Sequence, residues 1–295
     1  MNQIRLPVLV LKKDEERRLR AGHLWVYSNE VDTAQTPLTA FEAGEPAVVQ
    51  AATGKVLGTA YVNPHSLICA RLLSRHAGAV VNAAFLERRL RTALALREAL
   101  YAQPWYRLAF GESDGLPGLV IDRYGDVLVV QITTAGMERV RDVIIEVLQQ
   151  MFRPAGILLR NDSPVREREG LSLEITALGD VPDTVTVEEG GVRFEVFLGA
   201  GQKTGWFYDQ RSNRLAMHKY VPGRRVLDLF SYVGAWGLQA ARAGATGVTC
   251  VDSSAPALDA LQRTARANGL QDRVQVIAGE AFQVMDGLRD EHRQF

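Results

Sequence analysis

Hydrophobic and polar positions divide the chain into stretches of different period. Near the N-terminus, apolar residues come in short runs between turn-forming residues: LPVLVL at 6–11, HLWVYSNEV at 23–31, PAVVQ and VLGTAYV on either side of Thr53-Gly54-Lys55, and SLICARLLS at 66–74. Such runs predict short strands, with a hairpin turning at Gly54. DEERRLRAG at 14–22 predicts a short helix stopped by Gly22. Residues 83–102, AAFLERRLRTALALREALYA, place apolar side chains at helical spacing and charge on the other face. They predict a connecting helix that ends before Pro104. Beyond it, YRLAFGE and LPGLVIDRYGDVLVVQIT read as strands turning at Tyr124-Gly125-Asp126, MERVRDVIIEVLQQMF as an amphipathic helix, and GILLRND as a further strand. This is the pattern of a compact α+β module. TVTVEEGGVRFEVFL, 184–198, predicts a hairpin around Gly190-Gly191. From Val226 onward strand and helix patterns alternate: RVLDLF, GAWGLQAARAG, GVTCVD, SAPALDALQRTARANGL, RVQVIAG and EAFQVMDGLRDEH. That alternation predicts a parallel, doubly wound sheet. The expected organisation is a β-rich module over 1–75, a connecting helix over 76–105, an α+β module over 106–183 and an α/β domain over 184–295.

Composition adds limits. A chain of 295 residues with 47% hydrophobic and 23% charged content suits two or three globular domains. No apolar run approaches the roughly 20 residues that span a bilayer, and the N-terminus lacks the order of a secretory signal. A cytoplasmic protein is the expectation, with no membrane partner. Net charge is zero, yet residues 1–110 carry 14 Lys and Arg against 9 Asp and Glu, and residues 111–295 carry 20 against 25. A basic front half suits contact with phosphates, although charge alone fits an ordinary solvated surface equally well. Cys69 and Cys250 lie in apolar runs and read as buried thiols rather than a disulfide. The five histidines show no zinc spacing, so no metal is expected.

The chemistry-bearing segment is VLDLFSYVGAWGLQAARAGATGVTCVD, 226–252. In parallel α/β sheets ligands sit at the carboxyl ends of the strands. Asp228 lies near the end of the first strand. Gly234 permits a tight turn and close ligand approach, and Gly237 falls in the first helical turn. Asp252 ends the second strand 18 residues after Gly234, where a carboxylate can accept from both ribose hydroxyls. A dinucleotide fingerprint needs G-x-G-x-x-G; SYVGAWG at 231–237 lacks its first glycine, and Asp228 would repel a pyrophosphate. An acid suits a ligand carrying an ammonium group, such as the methionine part of S-adenosylmethionine. Glu280, after the third strand, suits ribose or the adenine amino group. A nicotinamide-dependent oxidoreductase is correspondingly disfavoured. The plainer alternative is that these acids are helix caps or solvated strand ends.

Four separated motifs carry a resemblance that covers nearly the whole chain. GQKTGWFYDQRSNR at 201–214 followed by VLDLFSYVGAWG, SDGLPGLVIDRYGD at 113–126, NDSPVREREGL at 161–171 and GHLWVYSNEV at 22–31 resemble the bacterial 23S rRNA 5-methylcytosine methyltransferases. The resemblance implies a multidomain fold: a PUA RNA-binding domain, a small α+β domain and a Rossmann-like class I methyltransferase domain. It implies S-adenosylmethionine as donor and ribosomal RNA as acceptor. By matching positions, Asp228, Phe230, Ser231, Tyr232 and Gly234 would line the methionine end, Asp252 would hold the ribose, and Glu280 with Ala281 the adenine. Lys203, Thr204, Phe207 and Asp209 would border the cofactor and target pocket. Trp206 and Phe207 also suit simple packing of the hairpin on the sheet. Lys12, Arg17, Arg18 and Arg20, with Arg211 and Arg214, would contact RNA, against the plainer alternative of solvated charge.

The chain departs from that family pattern after its third parallel strand. It ends at HRQF, without the D-P-P-type segment that in the family faces the methyl group and target base. Methylation of cytosine carbon 5 needs a cysteine thiolate on carbon 6 and an unpaired or flipped base. Cys250 lies in a core strand and Cys69 in the PUA-like module, so the expected nucleophile lies beyond residue 295. The expectation is an incomplete methyltransferase domain, inactive alone. A non-catalytic RNA-binding module is the alternative. An open edge strand at RVQVIAG would also invite pairing as a homodimer.

Overall fold

The computed structural model describes residues 6–199 and 204–295; Lys203 lies outside the described residues. The chain divides into two compact units, Met1–Val181 and Pro182–Phe295. The three segments read from sequence as separate modules over 1–183 thus pack as one unit.

In the first unit, β1 (Val8–Val10), α1 (Arg17–Arg20), β2 (Trp25–Val26), β3 (Glu45–Gln50), β4 (Val56–Val62) and β5 (Ala70–Ser74) build a sheet of order β1-β3-β4-β5-β2. β1 runs parallel to β3 and the other pairings are antiparallel. Leu9, Val26, Val49, Ala60, Val62 and Leu72 fill its core. Strand β4 is apolar without alternation because it serves two cores. Ala60 and Val62 face the first, whereas Tyr61 belongs to the second. A strand buried on both faces reads as a continuous apolar run.

The second core lies under α2 (Ala83–Leu100), β6 (Trp105–Phe110), β7 (Leu119–Tyr124), β8 (Val127–Ile132), α3 (Ala135–Glu138), α4 (Arg141–Phe152), β9 (Gly156–Asn161) and β10 (Glu174–Gly179). Its strands run β10-β9-β8-β7-β6. Helix α4 makes the crossover between β8 and β9, the one parallel pair. Asn82 caps α2 by accepting the Phe85 N–H. Strand β10 was not legible as a strand: it is an edge strand, and its apolar Ile175 faces solvent.

Tyr61 joins the two cores. Its hydroxyl, buried, lies 2.9 Å from the Pro117 carbonyl and 3.0 Å from Thr134 Oγ1. Helix α3 crosses the ring so closely that a Cβ at Gly136 would stand 2.1 Å from Tyr61 Cγ.

The second unit starts with the hairpin β11 (Thr184–Glu189) and β12 (Val192–Phe197), followed by α5 (Arg211–Met217). Then come β13 (Arg225–Leu229), α6 (Gly237–Arg242), β14 (Gly247–Asp252), α7 (Ala255–Ala267), β15 (Val274–Ala278) and α8 (Ala281–Asp290). The three strands are parallel in the order β13-β14-β15. Only β14 is central and deeply buried. As expected, RVQVIAG (β15) is an edge strand of the described sheet, and β13 forms its other edge. The hairpin is tied to α7 by Asn268, which pairs with both the N–H and the carbonyl of Arg193, and by the two-bond Arg263–Glu195 pair. No described helix is long and apolar enough to cross a membrane.

Gly136→Ala is expected to lower the stability of the first unit by about 1–3 kcal/mol through overpacking against Tyr61. Urea unfolding of the full chain would measure it.

Candidate functional site

The carboxyl ends of β13 and β14 are joined through a loop of unusual backbone. Phe230, Tyr232 and Gly234 have φ of 58°, 49° and 79°. Left-handed residues with a Cβ cost roughly 1–2 kcal/mol each, so the loop persists only because other groups hold it. Ser231 N–H donates to the Val251 carbonyl at 2.9 Å, and Gly234 N–H closes a turn on the Ser231 carbonyl at 2.8 Å. Asp252 completes the fixing. One carboxylate oxygen accepts the Tyr232 N–H at 2.7 Å and the other accepts the Ser254 N–H at 2.9 Å. At Gly234 a Cβ would stand 2.6 Å from Leu261 Cγ, so only glycine serves both the φ and the packing.

Asp228 accepts the Gly237 N–H at 2.8 Å, at the start of α6. Burial, opposed by that N–H and reinforced by the negative Asp252, pushes its carboxyl up to about 7. Gly237 lets α6 close on β14: a Cβ there would meet Cys250 Sγ at 2.4 Å. Ser231 is buried, and its Oγ has no hydrogen-bond partner among the described residues. A buried hydroxyl without a protein partner at a strand-end loop has its hydrogen-bonding capacity open to a water or a ligand.

The third strand end adds an exposed Glu280 that caps α8 without a side-chain bond, followed by buried Ala281. Phe282 was not singled out from sequence. It is 69% exposed and meets Phe230, 65% exposed, edge to face at 6.1 Å. Two large aromatic rings left in water beside the strand ends make an apolar rim. The available signal was an aromatic directly after the Glu280-Ala281 pair. Phe207 packs edge-on to Tyr232 at 6.3 Å, so it also reaches this loop. Thr204 is buried and Asp209 is exposed. Trp206, by contrast, is buried against Phe194 and serves packing.

A second finding concerns Arg214. The RNA-contact expectation is corrected here: its side chain is 1% exposed. Its guanidinium makes two bonds to Glu189, at 2.5 and 3.0 Å, and one to the Phe207 carbonyl at 3.0 Å. Gln239 and Trp206 also donate to Glu189. Burial pushes the Glu189 carboxyl up, but Arg214, Gln239 and Trp206 more than offset it and hold the acid below the usual range. This buried pair fastens the segment carrying Trp206 and Phe207 to the hairpin and to α6. Arg211 opens α5 and is half-buried.

The other proposed RNA contacts lie in the first unit, and each has a local partner. Lys12 bonds the Asn29 carbonyl, and Arg17 and Arg20 pair with Asp14 and Glu16. Arg18 pairs with Glu30 and lies over the Tyr27 ring. Cys69 and Cys250 are free and buried. Burial pushes the Cys69 thiol up to about 12 and the Cys250 thiol well above its ordinary value. Among the described residues no group of His, Cys, Asp and Glu could hold a metal ion.

Acids at successive parallel strand ends, a glycine turn that opens a helix, a free buried hydroxyl and an aromatic rim fit a cationic nucleoside cofactor. These features fit an S-adenosylmethionine-dependent methyltransferase. Residues 165–292 match the S-adenosylmethionine-dependent methyltransferase family, and residues 9–75 match a PUA-like domain. The chain is 37% identical over 288 residues to ribosomal RNA large subunit methyltransferase I of Photobacterium profundum, covering 96% of this chain and 72% of the relative. The Klebsiella pneumoniae protein of the same name is 36% identical over 98% of this chain and 73% of its own length. The chain belongs to the ribosomal RNA large subunit methyltransferase I family. These alignments by themselves lend no support to a missing catalytic half. Among solved structures, a SAM-dependent methyltransferase from Streptococcus mutans superposes with a TM-score of 0.82 at 23% identity, over 97% of this chain and 74% of the other. A methyltransferase complexed with SAH gives 0.84. Both share the fold.

Glu189→Gln is expected to cost about 3–5 kcal/mol, because it leaves the Arg214 cation buried without its counter-ion. The depressed carboxyl stabilises the fold above its unfolded value of about 4.3, and that contribution is lost as pH falls through the lower folded value. The gap between variant and wild type, read by urea unfolding, should therefore narrow in acid.

Proposed function

We propose that this chain binds S-adenosylmethionine at the ends of β13, β14 and β15 and directs its methyl group to ribosomal RNA of the large subunit. The observation that carries the reading is the fixed loop Phe230–Gly234, with Ser231 Oγ free inside it. When bound, the cofactor supplies an electrophilic methyl group on a sulfonium. Asp228 takes the ammonium group of the methionine end, and Asp252 uses its remaining lone pairs for the ribose hydroxyls. Glu280 and the Ala281 N–H take the adenine edge, with Phe230 and Phe282 bordering the ring. Thr204, Phe207 and Asp209 border the target side. The family name of the relatives and the PUA-like domain support RNA as acceptor.

For the acceptor atom we favour cytosine carbon 5, which rests on the sequence resemblance. That chemistry requires a thiolate on carbon 6. Cys69 and Cys250 are the two cysteines of the sequence, and both are buried with their thiols held protonated. On this reading neither Cys69 nor Cys250, as buried, supplies that thiolate. Methyl transfer to 23S rRNA by this chain alone would overturn the thiolate chemistry, while leaving cofactor binding intact.

Calorimetric titration should show binding of S-adenosylmethionine and none of NAD. Because Asp228 titrates near 7 in the free chain, affinity for the cationic methionine end should rise between pH 6 and 8, with proton release on binding near neutrality. Asp228→Asn should flatten that dependence. A pH-independent affinity would remove Asp228 from the ammonium site.

A further inference from the structure

The first unit contains a cavity of about 720 Å³ between the end of β5, one face of α2 and the turn after β6. That volume lies within the range of pockets that hold small ligands, roughly 300–1,000 Å³. Its charge is unbalanced in a specific way. Both acids on its wall are already engaged. Glu112 accepts from Trp25 Nε1 at 2.6 Å and from Arg71 at 2.7 Å. Asp114 takes a two-bond pair from Arg97, both at 2.7 Å. Two other guanidinium groups on the wall have no carboxylate partner among the described residues. Arg75 bonds only the Leu19 carbonyl, at 2.8 Å. Arg89 makes one long bond of 3.4 Å to the Leu73 carbonyl, and its buried Nε has no partner. His76 stands beside them, exposed. An apolar wall completes the cavity, including Leu96, a leucine that is 54% exposed.

The basic excess of the front half concentrates here. Residues 1–70 carry 7 Lys and Arg against 7 acids, whereas residues 71–110 carry 7 against 2. The cavity draws most of its wall from that stretch; on the wall itself three arginines, Arg75, Arg89 and Arg97, stand against the two engaged acids Glu112 and Asp114. Guanidinium groups without carboxylate partners match phosphate oxygens, and an adjacent apolar wall suits the ribose and base of an unpaired nucleotide.

We infer that this cavity holds one unpaired nucleotide of the RNA, with its phosphate between Arg75 and Arg89 and its sugar and base against Leu96. The inference rests on the reading of ribosomal RNA as acceptor and names a contact that reading leaves open.

The test is filter binding of the full chain to transcribed 23S rRNA over a range of salt. Arg75→Gln with Arg89→Gln should weaken binding about 10-fold or more at physiological salt and reduce the log–log salt slope by about 1. Leu96→Glu removes no hydrogen bond but sets a carboxylate on the wall, and should weaken binding about 5-fold through repulsion of the phosphate. Both variants should keep wild-type thermal unfolding and S-adenosylmethionine affinity. If both bind the RNA within about two-fold of wild type, the cavity is not an RNA contact. If they do so yet lose binding of free AMP that wild type shows, the occupant is a free nucleotide and the RNA assignment is overturned. Failure of the wild-type chain to bind 23S rRNA would instead overturn the acceptor reading itself.

Discussion

The Asp252 carboxylate holds the strand-end loop of the second unit in shape. Its two oxygens tie the loop after β13 to the start of the segment after β14. Without that tie the left-handed conformations at Phe230 and Tyr232 would have little to hold them. The loop in turn sets the exposed Phe230 ring and the inward Ser231 hydroxyl, and it delivers the chain into α6. A residue expected from sequence to accept a ribose is thus observed as the clamp of the strand-end loop. A carboxylate offers more lone pairs than two backbone N–H groups consume, so the clamp leaves acceptor capacity over.

Much of this was legible from the residues. Alternating strand and helix patterns from Val226 located the parallel strands, and Asp228, Gly234 and Asp252 fell at their ends because ligand sites in such sheets are set by topology. Strand β10 escaped because it is an edge strand, and its solvent-facing Ile175 broke the expected pattern. Arg214 was misread for a different reason. Its neighbours Ser212, Asn213 and Leu215 are exposed, and local sequence gives no sign that a hairpin 25 residues earlier supplies a buried carboxylate. Long-range pairing of charge is invisible to a reading made along the chain. Phe282 was missed because its one local signal, its place directly after Glu280-Ala281, gains meaning only once its partner Phe230 is seen beside it.

Both units bury ion pairs, among them Arg107–Asp122 and Arg166–Glu138 in the first, and each also has one polar group that fixes its packing. In the first, the neutral Tyr61 hydroxyl bridges two cores, and glycine at 136 gives the ring its space. In the second, a full ion pair is buried and saturated by four donor groups around Glu189. A neutral hydrogen bond contributes about 1 kcal/mol net. The buried pair contributes little beyond an apolar substitute but punishes any misfit. It therefore acts mainly to specify where the segment from Trp206 to Arg214 must lie.

That pair has a consequence for synthesis of the chain. Glu189 leaves the ribosome 25 residues ahead of Arg214 and 50 ahead of Gln239. Until both have emerged, closing the hairpin into a core would strand an unmatched charge, so the β11–β12 hairpin must wait, solvated, for α5 and α6. The parallel strands need no such delay, since each lies beside its predecessor. Closure of the hairpin is thereby tied to the emergence of two later segments by one carboxylate.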